Sequence, residues 1–166
     1  PAKISGIIKE PSIDKNIFLN MNKIALIENI KDPGNLGTVI RSAAAFSIEG
    51  IILTGDCVDI YNSKTIRATT QNMFKVPIIK ADLDFIKKLK KTHTLIATVV
   101  NCDNDILKYK FSEKFIIAFG SEADGLSEVL TSLSDKKLTM KMENGVESIN
   151  LGVFASIVFA YIKNIH

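Results

Sequence analysis

Residues 24–44, IALIENIKDPGNLGTVIRSAA, carry the reading that decides the fold. Ile24-Ala25-Leu26-Ile27 is a short apolar, partly β-branched run, the composition of a strand covered on both faces. Asp32-Pro33-Gly34 punctuates it. Beyond that turn Leu36, Val39, Ile40, Ala43 and Ala44 recur at helical spacing and form one apolar stripe, while Thr38, Arg41 and Ser42 lie off it. A buried strand, a turn and an amphipathic helix make the first half of a βαβ unit. Arg41 is expected to point away from the core, and Asn35 is the candidate helix cap.

Working outward, comparable apolar runs recur at Ile51 to Leu53, Val76 to Ile79, Leu95 to Val100, Phe115 to Phe119 and Leu138 to Met142, giving six strands in all. Stretches of helical spacing separate most of them. This alternation predicts an α/β domain with a mostly parallel six-stranded sheet covered by helices on both faces. Lys87, Lys88, Lys90 and Lys91 resemble a nucleic-acid patch, but Phe85, Ile86 and Leu89 supply the buried side of the same helix, so a solvated face explains them. The last helix, Leu151 to Ile162, has almost no polar face and must be buried all round, by the core on one side and a second subunit on the other. Residues before about Asn20 read as a linker or edge segment.

At 166 residues and 46% hydrophobic, the chain has the size and apolar content of one domain with its own core. Residues 149–162 are too short to span a bilayer and are interrupted by Asn150, Gly152 and Ser156. No secretory signal pattern precedes the domain, so a cytoplasmic location is expected. Cys57 and Cys102 have no CxxC spacing and accompany only His93 and His166, which argues against a disulfide framework or a metal site. A formal charge of +3 permits an acidic partner without demanding one. Of the 21 basic residues only Arg41 and Arg67 are arginines, the residue suited to bidentate phosphate recognition.

Three loops are candidates for chemistry. The first, Asp32 to Gly37, lacks both the G-x-G-x-x-G spacing of a dinucleotide fold and the Gly-Lys-Ser/Thr end of a P-loop. The second, Gly120-Ser121-Glu122-Ala123-Asp124-Gly125-Leu126, follows the fifth strand. A glycine at the carboxyl end of a parallel strand lets a ligand approach backbone. Ser121 lacks the G-x-S-x-G context of a hydrolase, and His93, expected at the surface, is no convincing partner for it. Glu122 reads equally as a carboxylate at a helix entry and as a catalytic group. The third loop, residues 143–150, enters the apolar last helix; Ser148 or a neighbour caps it, and Ser148 and Asn150 flank apolar Ile149.

In order and position these loops resemble the three motifs of the SpoU (TrmH-like) family of SPOUT-class RNA 2′-O-ribose methyltransferases. Residues 35–43, NLGTVIRSA, resemble the first; residues 119–126, FGSEADGL, the second; residues 148–151, SINL, the third. The resemblance covers about residues 22 to 165, and residues 61–68, YNSKTIRA, resemble a family segment on the RNA-binding side. It implies a catalytic domain over residues 21–166 with a C-terminal trefoil knot, an exception to unknotted topology. It also implies a homodimer, S-adenosyl-L-methionine as cofactor, and RNA as substrate and partner. The residues it carries over are Asn35, Arg41, Glu122, Ser148 and Asn150 for catalysis, Thr98, Gly120, Met140 and Ile149 for the cofactor, and Arg41, Lys64 and Arg67 for RNA. No metal and no membrane are implied.

The chain departs from the family pattern at Met140-Lys141-Met142, where an isoleucine-proline-methionine-like turn is usual. It also departs at Ile149 and Gly152, where leucine and serine are common, and at Ser47, which replaces a frequent glycine. Ile4-Ser5-Gly6-Ile7-Ile8 resembles the link that follows an RNA-binding domain in two-domain relatives, so an excised domain is expected. Ribosomal RNA is the favoured substrate, transfer RNA the alternative. A catalytically silent RNA-binding module and a serine hydrolase are the competing readings.

Overall fold

The computed structural model describes residues 9–143 and 148–165. The Ile4 to Ile8 link, residues 144–147 of the third loop and His166 lie outside the described residues.

Six strands form one sheet: β1 (Lys23–Glu28), β2 (Gly50–Thr54), β3 (Ile78–Lys80), β4 (Thr94–Thr98), β5 (Phe115–Phe119) and β6 (Lys136–Leu138). Their order is β3-β2-β1-β5-β4-β6, and every neighbouring pair is parallel. Among the described residues five α-helices accompany them: α1 (Pro33–Ala45), α2 (Ser63–Ala68), α3 (Leu83–Lys90), α4 (Glu128–Leu133) and α5 (Leu151–Ile165).

Side chains alternate across a strand, so each strand feeds both faces. Ala25, Ile27, Ile51, Leu53, Ile96, Phe115, Ile117 and Phe119 enter a core with α1 and α5. Ile24, Leu26, Ile52, Leu95, Ile116 and Ala118 enter a second core with α3 and α4. Helices therefore cover both faces. Residues 15–20, read as linker or edge, form a 3₁₀ helix whose Phe18 is fully buried in the second core.

Two strand boundaries differ from expectation. The third starts at Ile78 rather than Val76, because Val76 packs as a loop residue before Pro77. The sixth ends at Leu138 instead of starting there: Thr139 leaves the ladder to exchange backbone bonds with Asn104 and Ile106. His93 is also corrected, since it is only 3% exposed rather than at the surface. Its Nε2 lies 2.7 Å from the Met21 carbonyl and its Nδ1 contacts Thr92 and Leu89, so it ties β4 to the segment before β1. The lysine-rich helix matches its reading, with Phe85, Ile86 and Leu89 buried.

Ser47 ends the turn after α1 at φ +61°, a left-handed conformation that disfavours any residue with a Cβ. That explains the family's frequent glycine there. Ser47→Gly is expected to raise stability by up to about 1 kcal/mol, because removing the left-handed penalty outweighs the added freedom of the unfolded chain. A urea titration in which the variant's midpoint falls below that of the parent would contradict it.

Candidate active site

Strand order reverses direction on either side of the β1–β5 pair, and in open α/β sheets ligands bind outside the carboxyl ends of strands at such a point. The loops after β1, β5 and β6 converge there. Asp32, not Asn35, caps α1, with Pro33 in the first turn. Its carboxylate accepts the Asn35 N–H at 2.8 Å and meets Lys64 Nζ at 3.3 Å. The Asn35 N–H bond, joined by Lys64, holds this carboxyl below its usual range.

Freed from capping, the Asn35 side chain reaches across the site. Its Nδ2 donates to Glu122 Oε1 at 2.8 Å, and its Oδ1 accepts from Asn150 Nδ2 at 2.8 Å. Asn150 Nδ2 also donates to Glu122 Oε1 at 3.0 Å, which closes a ring of three side chains from three loops. Glu122 Oε1 further accepts the Leu151 N–H at 3.0 Å, while Asn150 Oδ1 caps α5 by accepting from Val153 N. The carboxylate thus sits at the N-terminus of α5, where exposed N–H groups favour negative charge. Asn150, rather than Ser148, is the cap.

The loop after β5 doubles back on itself: Ser121 and Gly125 exchange backbone bonds of 3.1 and 2.9 Å. A Cβ on Gly120 would lie 1.9 Å from the Gly125 carbonyl carbon. This close approach of backbone to backbone by itself requires glycine there. Gly125 stands at φ +69° with open space around it, so its requirement is conformational. Ser121 Oγ accepts the Asp124 N–H and contacts the Asp124 carboxylate. Its hydroxyl is engaged in the turn, and buried His93 precedes β4 at the opposite end of the sheet, so among the described residues Ser121 has no histidine partner for a hydrolase. Glu28, at the end of β1, accepts the Ser127 N–H at 2.6 Å and pins the far side of the loop.

Beside this ring a cavity of about 370 Å³ opens between the ends of β4, β5 and β6. Thr98, Gly120, Met140 and Ile149, the four expected cofactor residues, all line it, as do Glu122 and Ser148. Thr98 donates its hydroxyl proton to the Ala118 carbonyl at 2.8 Å. A volume of this order accommodates a nucleoside-sized ligand. The walls are largely apolar. Val99, Val100, Leu126, Met142, Leu151 and Phe154 complete them, and of these the sequence reading named none as site residues. A second, more open chamber adjoins the first around Asn101 to Asp103 and Lys141. Among the described residues no group of three or more His, Cys, Asp or Glu side chains is arranged to hold a metal.

Among the described residues, none of the expected RNA contacts bonds to the ring side chains. Arg41 and Arg67 are exposed on α1 and α2, and among the described residues their side chains make no hydrogen bond or ion pair. The two helices pack closely, since a Cβ on Gly37 would meet Ala68 Cβ at 2.4 Å. Lys64, by contrast, is paired with Asp32.

The model of the SpoU rRNA Methylase family matches residues 22–160. An uncharacterised tRNA/rRNA methyltransferase of Synechocystis is 35% identical over 80% of this chain and 50% of its own length. The 23S rRNA (guanosine(2553)-2′-O)-methyltransferase of Bacillus subtilis is 29% identical over 98% of this chain and 65% of its own. The chain thus spans half to about two-thirds of these relatives. The solved SpoU methyltransferase AviRb from Streptomyces viridochromogenes, in complex with the cofactor AdoMet, has the same fold at a TM-score of 0.84 and 24% identity, over 93% of this chain and 62% of that one.

Proposed function

The chain belongs to the SpoU rRNA methylase family, and from that premise we propose that residues 21–166 form the catalytic domain of an S-adenosylmethionine-dependent RNA 2′-O-ribose methyltransferase. Residues 1–20 lead into it. The observation that carries the reading is the Asn35–Glu122–Asn150 ring, which fastens the three motif loops at the mouth of an apolar cavity. The names of the similar curated proteins favour ribosomal RNA over transfer RNA as substrate. A cytoplasmic location fits that substrate, and no helix among the described residues is long and apolar enough to cross a membrane.

The residues fit the cofactor. A cavity of nucleoside size with walls from Val99, Met140, Ile149 and Phe154 suits an adenosine and a thioether-like chain. When bound, S-adenosylmethionine supplies a methyl group already activated on a positively charged sulfur. What the protein adds is arrangement. Apolar walls exclude water, Glu122 locks Asn35 and Asn150 in one orientation, and Ser148, bordering both chambers, orients the ribose hydroxyl. Arg41 anchors an RNA phosphate, with Arg67 and Lys64 extending the cationic face. Alignment of this kind is worth up to roughly 7–11 kcal/mol of barrier. Calorimetry with S-adenosylmethionine followed by a tritiated-methyl assay on bulk ribosomal and transfer RNA tests the proposal; absence of cofactor binding would remove it.

The C-terminal trefoil knot belongs to the same proposal. Leu138 and Thr139 run between the end of β4 and residues 104–106, bonded on both sides, before the chain returns across the sheet to α1 as α5. That enclosed path supports threading.

A homodimer is proposed from α5. Its buried side packs on α1 so closely that a Cβ on Gly152 would lie 2.9 Å from Thr38, which accounts for glycine where the family often has serine. Its other side leaves Val153, Ile157 and Ile165 exposed at 48%, 39% and 43%, so the single chain does not bury the helix all round. A second copy covering this face completes the burial. Light scattering is expected to give a dimer at micromolar concentration and a monomer for Ile157→Glu. A monomeric parent chain would overturn the proposal.

A further inference from the structure

We propose that the second chamber seats the amino-acid end of S-adenosylmethionine, with Asp103 receiving its ammonium and Lys141 its carboxylate. The inference rests on the methyltransferase reading and adds two residues that neither the motifs nor the apolar cavity identify.

Three observations carry it. The two chambers adjoin, sharing Val100, Met140, Met142 and Ser148 in their walls, so one ligand can extend from the apolar space into the open one. The second chamber is the polar one: Asn101, Asp103 and Lys141 line it and not the first. Its two walls are fixed in advance. The Thr139 N–H donates to the Asn104 carbonyl at 2.9 Å, the Ile106 N–H to the Thr139 carbonyl at 2.7 Å, and Thr139 Oγ1 to the Val100 carbonyl at 2.7 Å. Asp103 precedes Asn104 on one wall and Lys141 follows Met140 on the other. Both are exposed, and among the described residues neither makes a hydrogen bond or ion pair, so each has its charge available.

The charge pattern selects the occupant. One carboxylate and one ammonium complement a zwitterion, each giving a charge-assisted hydrogen bond to the opposite group. An RNA phosphate meets repulsion from Asp103 and from Glu122, which also lines the chamber. A neutral base can hydrogen-bond to either ion but brings no opposite charges to pair with both. Glu122 is less suited than Asp103 to the ammonium, because one of its oxygens already accepts from Asn35, Asn150 and Leu151.

The test compares ligands that differ only at this end. Calorimetry on the full chain would use S-adenosylmethionine, S-adenosylhomocysteine and 5′-methylthioadenosine, the last lacking the amino-acid tail. Asp103→Asn and Lys141→Met are both surface changes. Each is expected to weaken the first two ligands roughly tenfold, the effect of losing one charge-assisted bond, and to leave 5′-methylthioadenosine binding unchanged. Unchanged affinity for all three ligands would overturn the assignment, as would equal weakening of all three. Unchanged cofactor affinity with weakened RNA binding would give the chamber to RNA instead. If the unmodified chain binds none of the three, the methyltransferase reading fails and this assignment with it; if it binds 5′-methylthioadenosine but the variants are silent, only this assignment fails.

Discussion

Arg41→Ala is expected to slow methyl transfer by at least about 10²- to 10³-fold, the loss typical of removing one charged contact to a transition state. Affinity for S-adenosylmethionine should stay nearly unchanged. The expectation follows from where Arg41 stands. It projects from the exposed side of α1, without a polar partner among the described residues, and does not line the cavity. A base that removes the hydroxyl proton is the other role such a residue invites, and energetics oppose it. A guanidinium stays protonated in proteins, so neutralising one at neutral pH costs more than general-base catalysis, typically about 10²- to 10⁴-fold, returns. Anchoring a phosphate uses the charge that the residue already carries. Arg41→Lys should therefore be severely impaired as well, because a lysine offers a point charge and not a planar fork. Turnover by the lysine variant equal to that of the parent, or loss of cofactor binding in the alanine variant, would contradict the role.

The sheet was legible from sequence because its strands are buried on both faces: Ile24 to Ile27 and Phe115 to Phe119 carry no polar residue, and runs so short, β-branched or aromatic and bounded by turn residues, fit a buried strand better than a helix. The sixth strand was displaced for a related reason. Leu138, Met140 and Met142 alternate as strand residues do, yet Thr139 bonds to the loop at Asn104 instead of continuing the ladder, and only tertiary structure reveals that choice. His93 was misjudged by its lysine-rich neighbours; the Met21 carbonyl that holds it lies far away in sequence. Asp32 was the readable miss. Pro33 at the first helical position marks the preceding residue as the cap. Glu28 left a fainter signal, a carboxylate ending an otherwise apolar strand. The ring itself was not legible: Asn35, Glu122 and Asn150 were named by motif, but their mutual bonds depend on the loops after β1, β5 and β6 arriving at one point.

Glu122 gives the sharpest test of what that ring does. If it acts by holding neighbours in place, what matters is the oxygen that accepts from Asn35 Nδ2, Asn150 Nδ2 and the Leu151 N–H. A glutamine carbonyl retains such an acceptor at the same reach, although it gives up the charge that favours the N-terminus of α5, worth about 0.3–1 kcal/mol at an exposed site. Alanine removes the acceptor and leaves three donors to find water. Glu122→Ala is therefore expected to lower stability by about 1–3 kcal/mol, with exposure favouring the lower end, and to reduce turnover by two orders of magnitude or more, on the order expected when reacting groups lose alignment. Glu122→Gln should keep most of the stability and a substantial share of the turnover. The alternative is a carboxylate that takes the hydroxyl proton, and it inverts the second result: glutamine, which cannot accept a proton at neutral pH, would then be as inactive as alanine while remaining stably folded. Chemical denaturation and single-turnover methylation of the two variants separate the roles. A stable, cofactor-binding but inactive Glu122→Gln variant would show that the ring supplies chemistry as well as position.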